Sequence, residues 1–234
     1  MSASDDEAVL AAWHRNAAPW THSVRAGGIE SRRLVTDAAI VDAVLRQAPR
    51  TLLDLGCGEG WLARALGARG IAVTAVDAVP ALVDAARAAG GGERYLALSY
   101  AQIAQGALDA RYDLAVCNFS LIGEAEVETL LAALPGLLHA DGRAIVQTLH
   151  PIVGCGDPPY AEGWRAGSWA GCDGDFADPA PWYFRTLGGW LALLARCGLR
   201  TVALEEPLHP HTGKPASLIL IAEPIRTRSA HPQP

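Results

Sequence analysis

Leu52-Leu53-Asp54-Leu55-Gly56-Cys57-Gly58-Glu59-Gly60-Trp61-Leu62-Ala63-Arg64-Ala65-Leu66 is the stretch that decides the fold. A short apolar strand, Thr51 to Leu55, runs into glycines at every second position, and a helix follows at once over about 60–68. Glycine lets the backbone turn sharply and approach a ligand with no Cβ in the way. The start of the helix presents free N–H groups to that ligand. The next apolar run, Ala72 to Val76, ends at Asp77, 21 residues after Gly56. A carboxylate there can accept both hydroxyls of a ribose. A glycine-rich turn alone is weak evidence, but a turn plus an acid at the next strand end points to an adenosine-containing cofactor.

The spacing separates cofactors. A dinucleotide turn reads G-x-G-x-x-G, whereas here the pattern is G-x-G-x-G and Trp61 stands where the third dinucleotide glycine would be. Asp54 and Glu59 would repel a pyrophosphate and attract a cofactor carrying an amino group and a sulfonium. An NAD(P)-dependent oxidoreductase is disfavoured on both counts.

Outward from this turn, strands and helices alternate. Helices are expected over 5–18, 31–48, 80–89, 124–139 (bent near Pro135) and 187–197. Leu34, Ala38, Val41, Val44 and Leu45 recur at helical steps and predict the apolar face of the second, which Pro49 stops. Further strands are expected at Tyr95 to Leu98, Leu114 to Phe119 and Ala144 to Leu149, the last preceded by an Asp141-Gly142 turn. The run 151–185 breaks the rhythm, and strands near 200–205 and 217–222 form a terminal pair that can be antiparallel. Alternation of this kind means βαβ units, a parallel sheet and helices on both faces.

The 234 residues suit one α/β domain, half apolar and with a formal net charge of −6. Nucleic-acid binders carry a basic face; the densest basic stretch here, Arg25 to Arg33, is too short for one. The five cysteines are scattered and never spaced C-x-x-C, which argues for reduced thiols and no metal site. No apolar run approaches the ~18 residues of a membrane helix, and the acidic start (Ser4, Asp5, Asp6, Glu7) is unlike a signal peptide. A cytoplasmic protein that binds neither membrane nor nucleic acid, monomer or homodimer, is expected.

With these residues in hand, D-x-G-x-G-x-G followed by a strand-ending acid resembles the first motifs of class I S-adenosylmethionine-dependent methyltransferases, over roughly residues 31–150. The resemblance implies a doubly wound, Rossmann-like seven-stranded α/β sheet of order 3-2-1-4-5-7-6 with strand seven antiparallel. It implies a single domain: N-terminal lid helices 1–48, cofactor core 49–150, aromatic-rich cap 151–185, last helix and strand pair 186–224, and tail 225–234. The implied cofactor is S-adenosyl-L-methionine, leaving S-adenosyl-L-homocysteine. Asp54, Gly56, Cys57, Gly58, Glu59, Gly60 and Asp77 would hold it, with Ala78 and Leu82 flanking ribose and adenine. The family often has an acid after the third strand; here Ser99 and Tyr100 stand there, and the Ser99 side chain or the Tyr100 backbone would substitute. Asn118 and Phe119, in CNFSLIG, occupy the fourth motif beside the methionine moiety.

Aromatic residues make up 6% of the chain, yet many fall in 151–185, with Trp13 and Trp20 near the start. Two functions fit them: walls of a pocket for a flat or hydrophobic small molecule, or rings that pin a long loop. His150, ending the fifth strand, is either a general base for the acceptor or a histidine bonded to the cap. The stretch 13–37 and the later PWYFRTLGGWLALLARCGL resemble the UbiE-like group (methyltransferase type 11 or 25) of small-molecule enzymes. From it only Tyr183 and Arg185 are carried over as pocket residues; Trp13, Trp20, Trp164 and Trp169 are substrate-side candidates from where the aromatics fall, and His209 from its place in the loop between the last two strands. Arg25 and Arg33, with Arg32, are candidates to pair with the cofactor's carboxylate or an acidic acceptor, at least two of the three facing solvent. The expected function is methyl transfer to O or N of a small metabolite. A nucleic-acid methyltransferase and a methyltransferase-like binding domain are the alternatives; the acidic charge and the absence of an N-P-P-Y-type turn count against the first, the intact turn against the second.

Overall fold

The computed structural model describes residues 5–226. The expected tail falls outside the described residues from 227 onward. Nine strands form among the described residues: β1 Thr51–Leu55, β2 Ala72–Asp77, β3 Arg94–Ala97, β4 Tyr112–Asn118, β5 Leu138–Thr148, β6 Gly163–Arg165, β7 Trp182–Phe184, β8 Leu199–Glu205 and β9 Leu218–Pro224. Seven make one sheet in the order β3-β2-β1-β4-β5-β9-β8, while β6 and β7 pair in a hairpin apart from it. Counted within the sheet alone, this is the expected order 3-2-1-4-5-7-6. β9 runs antiparallel to both β5 and β8, and the other pairings are parallel.

The eight α-helices are α1 Asp5–Ala26, α2 Asp37–Leu45, α3 Trp61–Gly67, α4 Pro80–Ala88, α5 Tyr100–Ala104, α6 Ala125–Leu137, α7 Pro151–Cys155 and α8 Leu187–Arg196. Successive strand residues point to opposite faces. Thus Leu53, Ala115 and Val146 pack on α6 and α8 through Leu130, Leu134, Leu194 and Trp190. Leu52, Leu114 and Ile145 pack on the other side against Ile40 and Val44 of α2 and Leu62 and Leu66 of α3. With both faces covered, the central strands are continuous apolar runs. No described helix is long and apolar enough to cross a membrane.

Three expectations fail locally. The apolar face of α2 is not Leu34-Ala38-Val41-Val44-Leu45: Leu34, Ala38 and Leu45 are exposed, while Ile40, Val41, Ala43 and Val44 are buried. A π-helical turn, Arg32–Thr36, precedes α2 and shifts the phase of the stripe. α1 continues beyond residue 18 to Ala26, carrying Pro19 within it. Lastly, β5 begins at Leu138, directly after α6; β4 advances from Tyr112 to Leu114 while β5 advances from Leu138 to Arg143, so Asp141-Gly142 bulges out inside the strand rather than before it.

Candidate functional site

β1, β2 and β4 end side by side, and their ends build the site. Gly56, Gly58 and Gly60 all have positive φ, which turns the chain from β1 into α3. Asp77 Oδ2 accepts from the Gly58 N–H at 2.8 Å and its Oδ1 from the Val79 N–H at 2.9 Å. The backbone thereby fixes the carboxylate while leaving each oxygen a further lone pair. Asp54 is buried, and its Oδ2 has no partner. Burial, then the charge of Asp77, pushes the Asp54 carboxyl up to about 7. Burial lifts Asp77 as well, against the pull of the Val79 and Gly58 N–H groups and of His14 on α1. Asn118 Oδ1, at the end of β4, is also buried without a partner. Phe119 follows at φ 52°, left-handed backbone unusual for such a residue and typical of functional turns.

Buried acceptors without donors are costly, about 1–3 kcal/mol each and more when charged. The Asp54 carboxylate and the Asn118 amide oxygen suit an ammonium; Asp77 suits the paired hydroxyls of a ribose. A pyrophosphate would meet two carboxylates. The residues therefore fit the aminoacyl nucleoside implied by the sequence.

Glu59 has another role. Its carboxylate is 1% exposed and accepts from Arg25 Nε at 2.9 Å and Arg64 Nη2 at 2.8 Å. The Arg25 Nη2 donates to Ala85 O at 2.9 Å. Glu59 and Arg25 thus tie α1 to α3 and α4, and the expectation that one touches cofactor and the other substrate gives way to a structural clamp. Ser99 is likewise spent: its Oγ accepts from the Gln102 N–H and caps α5. Tyr100 donates its hydroxyl to Ser120 O at 3.1 Å. Cys57 is buried beside the turn, where burial raises its thiol far out of the nucleophilic range.

Over this end lies α1. Ala17, with Trp13 and Trp20, packs on Val79 and Leu82, and Trp20 Nε1 is the nearest atom to the space above Gly58. Trp13 meets Trp20 and Trp169 edge-on at 5.1 and 5.6 Å between centroids, and Trp169 stacks on Phe176 at 4.3 Å. Asn16, buried on α1, accepts from the Ala177 N–H at 2.8 Å, joining lid to cap. Arg32 lies over Trp61 and pairs with Asp37; Arg33 is exposed. A second aromatic group forms on the hairpin: Trp164 meets Tyr183 edge-on and donates to Glu124 at 3.1 Å, and the Arg185 guanidinium stacks on Tyr183. Tyr160 and Trp182 meet Phe184 in a third group, so the rings do not form one wall.

His150 has a partner at each ring nitrogen. It is 3% exposed; Nδ1 accepts from the Ile152 N–H at 3.3 Å, capping α7, and Nε2 pairs with Glu206 Oε1 at 2.8 Å. Both nitrogens are engaged, and neither is free to take a proton from an acceptor. His150→Gln is therefore expected to lower thermal stability by roughly 1–2 kcal/mol and leave the pH profile of any turnover unshifted; a lost acidic limb in that profile would restore the histidine as a base. His209 is held within its own loop, donating its N–H to Lys214 O and facing His211. Glu206, from that loop, is what reaches the site. Asn16, His14, Ser120 and Glu206 went unnoticed in the sequence; only Asn16, a polar residue between Ala12 and Ala17 on the buried stripe, left a readable sign.

Residues 53–146 match the family model described as a methyltransferase domain. Those residues carry a methyltransferase domain. Ubiquinone biosynthesis O-methyltransferase of Rickettsia felis is 29% identical over 120 residues, 48% of this chain and 49% of that protein. An uncharacterized methyltransferase of Mycobacterium bovis is 34% identical over 138 residues, 57% of this chain and 66% of that one. The chain thus spans about half the length of the first of these relatives. Among solved structures, 1,6-didemethyltoxoflavin-N1-methyltransferase of Burkholderia thailandensis superposes with a TM-score of 0.66 at 23% identity, covering 97% of this chain and 92% of that one. At that identity the likeness is one of fold. The domain match spans β1 to β5 and includes the glycine turn, Asp77 and Asn118.

Proposed function

We propose that this chain transfers the methyl group of S-adenosylmethionine to an O or N atom of a small, flat or hydrophobic metabolite, with the N-terminal helices α1 and α2 as lid and 151–185 as cap. The observation that carries this is the pair of carboxylates at the glycine turn, buried Asp54 and part-buried Asp77, with Asp54 Oδ2 left without a donor. The Rickettsia O-methyltransferase and the Burkholderia N-methyltransferase support both acceptor atoms and choose between neither.

When bound, the cofactor supplies an activated methyl group on a sulfonium. The protein's part is placement: Asp77 orients the ribose, Asp54 and Asn118 hold the amino acid end, and the lid tryptophans exclude water from above Gly58. Holding nucleophile and methyl in line supplies much of the rate of such a displacement. With His150 engaged elsewhere, an acceptor whose nucleophile is already unprotonated, or loses its proton to water, fits best.

Calorimetric titration with S-adenosylhomocysteine tests this. Micromolar binding is expected, with none for NADH. Asp77→Ala should weaken it about a hundredfold, the worth of two hydrogen bonds to a charged group, and Asp77→Asn by less. NADH binding in place of S-adenosylhomocysteine would overturn the function.

A further inference from the structure

Among the described residues, the one buried charged donor left without a partner is Nη1 of Arg185. The residue follows β7 and is 5% exposed. Its guanidinium lies 4.8 Å from the Tyr183 ring centroid and 5.0 Å from that of Trp190, and Nη2 donates to Glu124 O at 3.2 Å. Beside it is a cavity of ≈ 20 Å³ whose walls include Leu121, Thr148, Trp182, Arg185 and Trp190. Leu121 follows β4 and Thr148 ends β5. The cavity therefore opens on the same edge of the sheet as Asn118, the edge where open α/β sheets bind ligands.

Size and charge together define what fits. A volume of this order takes one water-sized atom, whereas a carboxylate brings two oxygens and their carbon. Tyr183, Glu162, Glu124 and Asp6 all act on the guanidinium. Three of these are carboxylates around one positive charge, so a further anion would enter a negative field. The Nη1 hydrogen nevertheless needs an acceptor, because a buried charged donor left unpaired costs more than a neutral one. We propose that this cavity anchors the methyl acceptor and takes a single uncharged oxygen, an oxo or amide carbonyl on a flat ring, against Arg185 Nη1. The proposal rests on the methyltransferase function and names its acceptor class. The rest of the ring lies toward the ends of β4 and β5.

Quinolin-2-one, quinoline-2-carboxylate and naphthalene are the probes, each titrated against the full chain saturated with S-adenosylhomocysteine and followed by calorimetry and tryptophan fluorescence. Quinolin-2-one should bind about tenfold or more tightly than naphthalene, the worth of one hydrogen bond to a charged donor, and the carboxylate more weakly than the oxo compound. Arg185→Lys should erase the preference for quinolin-2-one over naphthalene. Glu124→Gln, which keeps the backbone oxygen that Arg185 uses, should narrow the gap between carboxylate and oxo probe. Equal binding of quinolin-2-one and naphthalene, no binding of either, an unchanged preference in Arg185→Lys, or an unchanged gap in Glu124→Gln would overturn the proposal and leave the cavity as a water site. Failure of S-adenosylhomocysteine to bind at all would instead strike the methyltransferase function, and the proposal with it.

Discussion

Asp54→Asn should make the free protein more stable at neutral pH while removing its cofactor affinity. Asp54 is buried, faces the charge of Asp77, and titrates at about 7 rather than 3.8. The folded state therefore holds a proton that the unfolded chain has already released between those values. Stability then falls as pH rises through that window and levels off above it. At 1.36 kcal/mol per unit, the full span is worth up to about 4 kcal/mol, and a gain of roughly 2–4 kcal/mol is expected for the amide at pH 8. At pH 4 the two proteins should be nearly equal. Denaturant melts of both at pH 4.5, 6 and 8 check this, and parallel curves for the two would mean that Asp54 carries no such strain. Cofactor binding should have the opposite slope. Only the ionised carboxyl pairs with an ammonium, so the wild type should gain about tenfold in S-adenosylhomocysteine affinity per unit from pH 5 toward 7. The amide should bind weakly at every pH. A residue that destabilises the free fold and is needed for the ligand is what a preorganised site requires.

The legible part of this molecule was the part built from local rules. β1, the turn, β2 and Asp77 lie within one βαβ unit, and their pattern names both topology and cofactor chemistry. The sheet order followed from resemblance and from a final pair of strands joined by a loop long enough for antiparallel pairing. What stayed hidden depended on long-range partners. Nothing near Glu59 in the chain says that Arg25 will claim it, and nothing near His150 says that Glu206 will arrive from a loop after β8. The stripe on α2 was misread because one π-helical turn changes the phase without changing composition. The short elements α5, α7 and the β6–β7 hairpin were missed because three to five residues carry no period. The clustering of aromatics near the start and in 151–185 was readable, but which rings touch which depends on contacts far apart in the chain.

The three glycines of the turn look alike in sequence and differ in what they meet, and Gly56 should tolerate substitution least. Its φ is +76°, and an added Cβ would lie 2.3 Å from Ser120 Cβ and 3.0 Å from the Tyr100 hydroxyl. Neither neighbour can yield: Ser120 Oγ donates to Leu55 O at 2.6 Å, and the Tyr100 hydroxyl donates to Ser120 O. The left-handed backbone alone costs about 1–2 kcal/mol for a residue with a Cβ; the overlap should bring Gly56→Ala beyond ~4 kcal/mol, enough to empty the folded state of a marginally stable domain. Gly70→Ala is the control. It has φ +85° with nothing within 4 Å of an added Cβ, so only the backbone cost applies. Thermal melts should place Gly70→Ala within ~2 kcal/mol of the wild type and Gly56→Ala far below both. Adding Ser120→Gly to Gly56→Ala should restore part of the loss, since it removes the atom struck first. Equal losses at the two glycines would mean that backbone handedness alone fixes Gly56. At Gly58, by contrast, the nearest atom to an added Cβ is Trp20 Nε1 at 3.4 Å. The first glycine of the turn thus serves the close packing of the turn after β1 against the segment after β4, and the second leaves room on the side where Trp20 lies.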